Sequence, residues 1–114
     1  MFGLKKNCVL NKNDFRKVYS NAHTYADKNI VIYVVKNSQH NGKVGFAAGK
    51  KLGCAVVRNR VKRILREAYR LCKPNLRTDF AIILVGRKSL INAKSDVAIS
   101  SFRGLCKRAK LFKN

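Results

Sequence analysis

Residues 50–70 constrain this chain more than any other stretch. From Ala55 to Cys72 they read as one helix, because Val57, Val61, Ile64, Ala68 and Leu71 recur at a four-three-four-three spacing, with Leu65 and Cys72 beside them. At about 100° per residue that spacing makes a single apolar stripe. Arg58, Lys62, Arg63, Arg66 and Arg70 spread over the opposite face, Arg60 falls at its edge, and Glu67 is the only acid. Such a helix must dock one face on a core and present the other as a cationic strip. A solvated face usually mixes signs. Here Arg58, Lys62, Arg66 and Arg70 follow one another at i,i+4, and each like-charge neighbour costs roughly 0.2–0.5 kcal/mol. A helix that tolerates this repulsion points to a polyanionic partner.

The rest of the chain supports that reading. Its 114 residues suit one domain, 1–114, and at this length folding buries about two thirds of the unfolded surface. The 26 Lys and Arg against five Asp and Glu give a formal net charge of +21, spread along the chain rather than gathered in a tail. A compact body so charged repels itself, and an anion that binds only the folded form stabilises it. Cys8, Cys54, Cys72 and Cys106 stand at no metal or redox spacing, and Cys72 and Cys106 fit apolar helix faces as small core residues of a reducing compartment. Met1 to Leu10 reads as a mobile basic lead-in without a signal-peptide core, and the longest apolar run, Ile30 to Val35, is too short to span a bilayer. A cytoplasmic protein with no membrane association is expected.

Before the basic helix, Asn11 is a candidate N-cap for a short helix ending near Asn21, on which Phe15 and Tyr19 lie one turn apart. His23 to Ala26 reads as a short strand or an irregular connection. Ile30 to Val35 is a β-branched central strand with Tyr33 on one face. After a turn at Lys36 to Gly42, Lys43 to Ala48 reads as its hairpin partner. Pro74 stops the basic helix. Asp79 to Val85 is a second buried strand, and from Ser95 a last helix carries Ala98, Phe102, Leu105, Cys106 and Ala109 on its apolar side.

Catalytic chemistry on the protein is hard to build. Asp14, Asp27, Glu67, Asp79 and Asp96 are scattered over different elements, His23 and His40 fall in loop or edge positions, and residues 49–53 lack the glycine-lysine-hydroxyl ending of a nucleotide loop. Phe15 and Tyr19 read as core aromatics or as stacking platforms for unpaired bases. The chain reads as a binder.

Lys50, Lys51, Leu52 and Gly53, then Ala55 to Arg63, then Arg66 and Glu67, resemble the signature of the bacterial ribonuclease P protein family. The similarity extends to Asp14 and Phe15, to Tyr19, to the strand bearing Tyr33, and to Val44 and Gly45. It implies a two-layer α/β (α+β) sandwich in helix–strand–strand–strand–helix–strand–helix order. A left-handed crossover would join two parallel strands, as in the second domain of a small-subunit ribosomal protein. That hand is rare, and periodicity alone predicts the opposite one.

The resemblance also implies a role beside a catalytic RNA that removes the 5′ leader of precursor tRNA. Lys50, Lys51, Arg58, Asn59, Arg60, Lys62, Arg63, Arg66 and Arg70 would contact ribonuclease P RNA, while Phe15, Tyr19 and Tyr33 would line a cleft for the leader. Catalytic Mg²⁺ would be held mainly by the RNA, with no catalytic or metal-binding residue on the protein and no protein partner required. In this chain Cys54 stands where the family commonly has a polar residue, Ala48 and Gly49 where small hydroxyl residues are usual, and Tyr19 where Phe is frequent. A ribosomal protein or a general RNA chaperone would share this composition, so the RNA that co-purifies is the discriminator. An independent nuclease would need RNA-free protein to cut.

Overall fold

The computed structural model describes residues 9–113. Three helices and four strands follow in the order α1 (Lys12–Asn21), β1 (His23–Ala26), β2 (Ile30–Lys36), β3 (Val44–Ala48), α2 (Ala55–Cys72), β4 (Phe80–Gly86) and α3 (Ser95–Arg108). Short 3-10 turns at Lys50–Leu52, Lys73–Asn75 and Lys88–Leu90 join them. The start of the expected lead-in, with Cys8, lies outside the described residues. Its last two residues are tied down: the Leu10 N–H donates to the Val44 carbonyl at 2.8 Å and the Leu10 side chain is buried.

The sheet order is β1-β2-β4-β3. β2 runs antiparallel to both β1 and β4, whereas β3 runs parallel to β4. Val44 to Ala48 is therefore not the hairpin partner of β2. The connecting segment instead crosses the start of β4. The Asn37 N–H donates to Asp79 O, the Gly42 N–H to Phe80 O, and Lys43 O accepts from the Ile82 N–H. That path delivers β3 to the far side of β4 as an edge strand. α2 then joins the neighbouring parallel strands β3 and β4, the connection that the resemblance implies.

Period-two alternation sorts the sheet residues between two faces. Ile30, Ile32, Val34, Val44, Phe80, Ile82 and Leu84 pack with α2 and α3 in the larger core. Fully burying such a side chain contributes roughly 1.5–3 kcal/mol, so this face dominates stability. Ala81 and Ile83 face the other way with Leu10 and Val18, flanked by Phe15, Tyr33 and Val35. The expected two-layer sandwich is thus the sheet with α2 and α3, to which α1 adds a short cover on the opposite face.

Local chemistry fixes α1 and α2. Asn11 caps α1 by accepting the Asp14 N–H at 2.8 Å. Asp14 reaches Lys43 Nζ at 3.4 Å and His40 Nδ1 at 3.6 Å, pinning the helix to the β2–β3 connection. His40 is buried, not the surface histidine that its loop position suggests. α2 buries Val61, Ile64, Leu65, Ala68, Tyr69 and Cys72. The C-terminal end of its stripe is therefore Tyr69 and Cys72 rather than Leu71, which is 44% exposed. Tyr69 turns inward because aromatic partners wait there: its ring lies 5.9 Å from Phe46 and 6.1 Å from Phe102. Gly86 lets α2 lie directly on the end of β4, since a Cβ at that position would collide with Val61.

Candidate nucleic-acid interface

Two surfaces carry the residues singled out from sequence, on opposite faces of the sheet. The first is the outer side of α2 and the turn before it. Lys50, Lys51, Asn59, Arg63 and Arg66 are exposed, and Lys62 is half-buried. The Arg66 guanidinium sits 5.4 Å above the Phe46 ring, which holds it against the β3 side of the helix by a cation–π contact. Arg58 is half-buried, and its Nε is shielded from solvent with no hydrogen-bond partner among the described residues. A buried donor left unmade costs about 1–3 kcal/mol.

Two of the predicted arginines are committed within the chain. Arg60 leaves the strip and donates from Nη1 to Ile91 O at 2.5 Å and from Nη2 to Ala93 O at 3.0 Å. It thereby fastens α2 to the loop before α3. Arg70 forms a fork on Glu67, with Nε–Oε1 at 3.0 Å and Nη2–Oε2 at 2.7 Å. That pairing holds the Glu67 carboxyl below its ordinary pKa and pushes the Arg70 guanidinium above its own.

The second surface is an open hollow between α1 and the sheet. Tyr19 and Tyr33 bring their rings to 4.4 Å between centroids, and the Tyr19 hydroxyl donates to the Tyr33 hydroxyl at 3.2 Å. This contact, then burial, pushes the Tyr33 phenol above its ordinary pKa, so it stays neutral near pH 7. Tyr19 is 50% exposed. Phe15 packs against β3 at Gly45, where a Cβ would come within 2.6 Å of its ring, so the ring in this position needs glycine beneath it. Leu10, Asn11, Lys12, Phe15, Arg16 and Tyr19 line an adjoining cavity of about 380 Å³. Val31, Val85 and Ala47 are register partners across three strands and form a half-buried apolar floor. Sequence reasoning misses Lys12 and Arg16. Their spacing of about one turn, beside Phe15 and Tyr19, is the signal that could find them.

Among the described residues, no three His, Cys, Asp or Glu side chains lie together as a metal site requires. No described helix is long and apolar enough to cross a membrane.

Comparison with known proteins decides the family. The chain matches the family described as Ribonuclease P over residues 4–110. The chain belongs to the ribonuclease P protein family. The ribonuclease P protein component of Natranaerobius thermophilus is 42% identical over 104 residues, covering 90% of each chain. That of Clostridioides difficile is 37% identical over 110 residues, covering 96% of this chain and 92% of its own. The solved ribonuclease P protein of Staphylococcus aureus superposes with a TM-score of 0.79 at 30% identity, covering 93% of this chain and 98% of that one. The Thermotoga maritima protein gives 0.74 at 25% identity, covering 85% of this chain and 92% of its own.

Membership makes the chain a ribonuclease P protein component, part of the enzyme that matures the 5′ ends of tRNA. The basic segment that carries the resemblance, Lys50 to Glu67, covers the turn before α2, the N-cap Cys54 and most of the helix. Cys54 is exposed. The N–H groups of Val57 and then Val56, with the charge of Arg58, lower its thiol pKa. Burial instead raises the thiols of Cys72 and Cys106.

Proposed function

We propose that the outer side of α2 binds ribonuclease P RNA and that the hollow beside α1 binds the single-stranded 5′ leader of precursor tRNA. Lys50, Lys51, Asn59, Lys62, Arg63 and Arg66 meet the RNA from the exposed strip. Arg58 supplies a buried donor that a phosphate oxygen would satisfy. Arg60 acts at this surface by holding α2 in place, and Arg70 presents a guanidinium already oriented by Glu67. Arginine suits this work because its planar fork matches phosphate geometry.

Phe15, Tyr19 and Tyr33 contact the leader. The observation that carries this reading is the pair of touching tyrosine rings, half-open at the mouth of an apolar floor with Lys12 and Arg16 nearby. Stacking on such rings contributes about 1–3 kcal/mol per base and tolerates any sequence. Mg²⁺ belongs mainly to the RNA, which carries out bond cleavage. Three of the five carboxylates are already paired within the chain, which supports that reading. Asp14 is engaged by Lys43 and His40, Glu67 by Arg70, and Asp79 by Arg77.

Reconstitution with ribonuclease P RNA and a labelled precursor tRNA across a Mg²⁺ series tests the reading. The chain should lower the Mg²⁺ requirement for cleavage. Tyr19→Ala and Tyr33→Ala should weaken binding of precursor but not of mature tRNA. Equal losses for both RNAs would place the leader elsewhere.

A further inference from the structure

Beyond the C-terminal end of α2 lies a second basic surface, which shares Arg70 with the proposed RNA site. Two segments remote in sequence, residues 70–80 and 107–113, build most of it. The Arg77 N–H donates to Leu111 O and the Lys113 N–H to Asn75 O, both at 2.8 Å, and Leu76 bridges to Phe112. The C-terminal tail is thereby sewn to the turn after α2. On one side of this seam is a cavity of about 440 Å³ floored by Pro74, Leu76 and Phe80 and rimmed by Arg70, Lys73, Arg77 and Lys113. On the other side a cavity of about 400 Å³ is lined by Arg77, Lys107, Lys110, Phe112 and Lys113. Asp79 neutralises Arg77, and Glu67 neutralises Arg70. Lys73, Lys107, Lys110 and Lys113 enter no ion pair with a described residue.

Part of this charge has an ordinary explanation. Cations in the last turn of a helix complement its dipole, and Lys73 and Lys107 stand at the ends of α2 and α3. Lys110 and Lys113 lie past α3. Lys110 also holds a left-handed backbone, φ 59°, at the position closing α3. Its N–H donates to Lys107 O, and the next N–H, of Leu111, donates to Cys106 O. That closing motif strongly favours glycine. Helix termination therefore does not itself account for a lysine at this position.

We infer that this end of the molecule is a second phosphate-backbone site for the RNA that α2 binds. Arg63, Arg66, Arg70 and Lys73 step along α2 at three-four-three spacing and run into the rim without a break. The surface therefore continues the α2 strip and shares its polyanionic partner. Lys73 lies about 22 Å along the helix from Arg58, at ~1.5 Å per residue. The longest extent of the molecule is 34 Å, so an RNA that follows this strip to the rim runs along most of one side of the molecule. The inference rests on the proposed α2 interface.

Filter binding to ribonuclease P RNA over a salt series tests it. The triple variant Lys73→Gln, Lys110→Gln, Lys113→Gln should flatten the log–log salt dependence by ~0.7–0.9 for each phosphate that it no longer neutralises. Arg63→Gln with Arg66→Gln serves as the α2 reference. A flatter slope for the reference pair alone overturns the second site and leaves the α2 reading standing. No change in either overturns both. Lys110→Gly separates binding from folding, because glycine relieves the left-handed backbone. It should hold or raise the melting temperature in sulfate while lowering RNA affinity, and unchanged affinity counts against the site. If the triple variant loses retention on phosphatidylserine vesicles while its RNA slope stays unchanged, the surface serves a membrane and the inference fails.

Discussion

Gly45→Ala should damage the leader hollow and spare the RNA-binding face. The added methyl would stand 2.6 Å from Phe15 Cε2, 2.8 Å from Cδ2 and 3.3 Å from Leu10 Cδ1. Carbon atoms in contact prefer about 3.5–4.0 Å, so the ring must move by roughly an ångström. Overpacking of this kind costs about 1–3 kcal/mol, which in a domain of this size lowers the melting midpoint by roughly 3–12 °C. Phe15 and Tyr19 share α1, so displacing one ring shifts its neighbour, and leader affinity should fall about five-fold or more. Phe15→Ala removes the obstacle. In a Gly45→Ala, Phe15→Ala double variant the new methyl enters the vacated space, and the double should be no less stable than Phe15→Ala alone. The cycle should therefore return a coupling of about 1–3 kcal/mol. Melts in sulfate give the stability arm, and fluorescence titration with precursor and mature tRNA gives the affinity arm. Additive stabilities with an unchanged leader preference would show that Phe15 does not lie on β3, and the reasoning about the hollow would fall with it.

Other expectations concern residues away from that contact. Arg60→Met should loosen the loop at Ile91 to Ala93, costing about 1.5–3 kcal/mol for its charge-assisted hydrogen bonds; a melting midpoint that does not move refutes the tie. Cys54, whose thiol pKa is lowered, should react with iodoacetamide at a lower pH than an ordinary cysteine. Cys72 and Cys106, whose pKa values are raised, should react only on unfolding, and equal labelling of all three by mass spectrometry contradicts this. With a net charge of +21, sulfate should raise the melting midpoint, since anions bind the folded form more strongly; identical midpoints with and without sulfate would remove self-repulsion as a factor.

Much of the architecture is legible in periodicity. The bounds of α2, the cap of α1, the β2 and β4 runs and the buried side of α3 follow from local patterns that physical chemistry makes specific. What is not legible depends on partners far apart in the chain. β3 looks like a hairpin partner of β2 because pairing is not encoded in a strand's own residues. Its place follows from hydrogen bonds between the 37–43 segment and β4. Leu71 and Tyr69 occupy the two edges of one stripe, and Phe46 and Phe102 decide which turns inward. Arg60 reads as one more cation until the carbonyls of Ile91 and Ala93 are seen beside it. Tyr19 and Tyr33 stand out in the sequence as candidates, yet their mutual contact is a product of folding. The seam between Leu76 and Phe112 has no sequence signature.

The placement of α1 and α2 on opposite sides of one sheet has a geometric consequence. Packed layers of secondary structure stand about 10 Å apart, so two nucleic acids held on the two sides would be kept at a fixed spacing by a rigid slab. Such a body works as a gauge: changing its thickness, by enlarging residues on the Ile82 and Leu84 side, would move one strand relative to the other without altering a single contact to either.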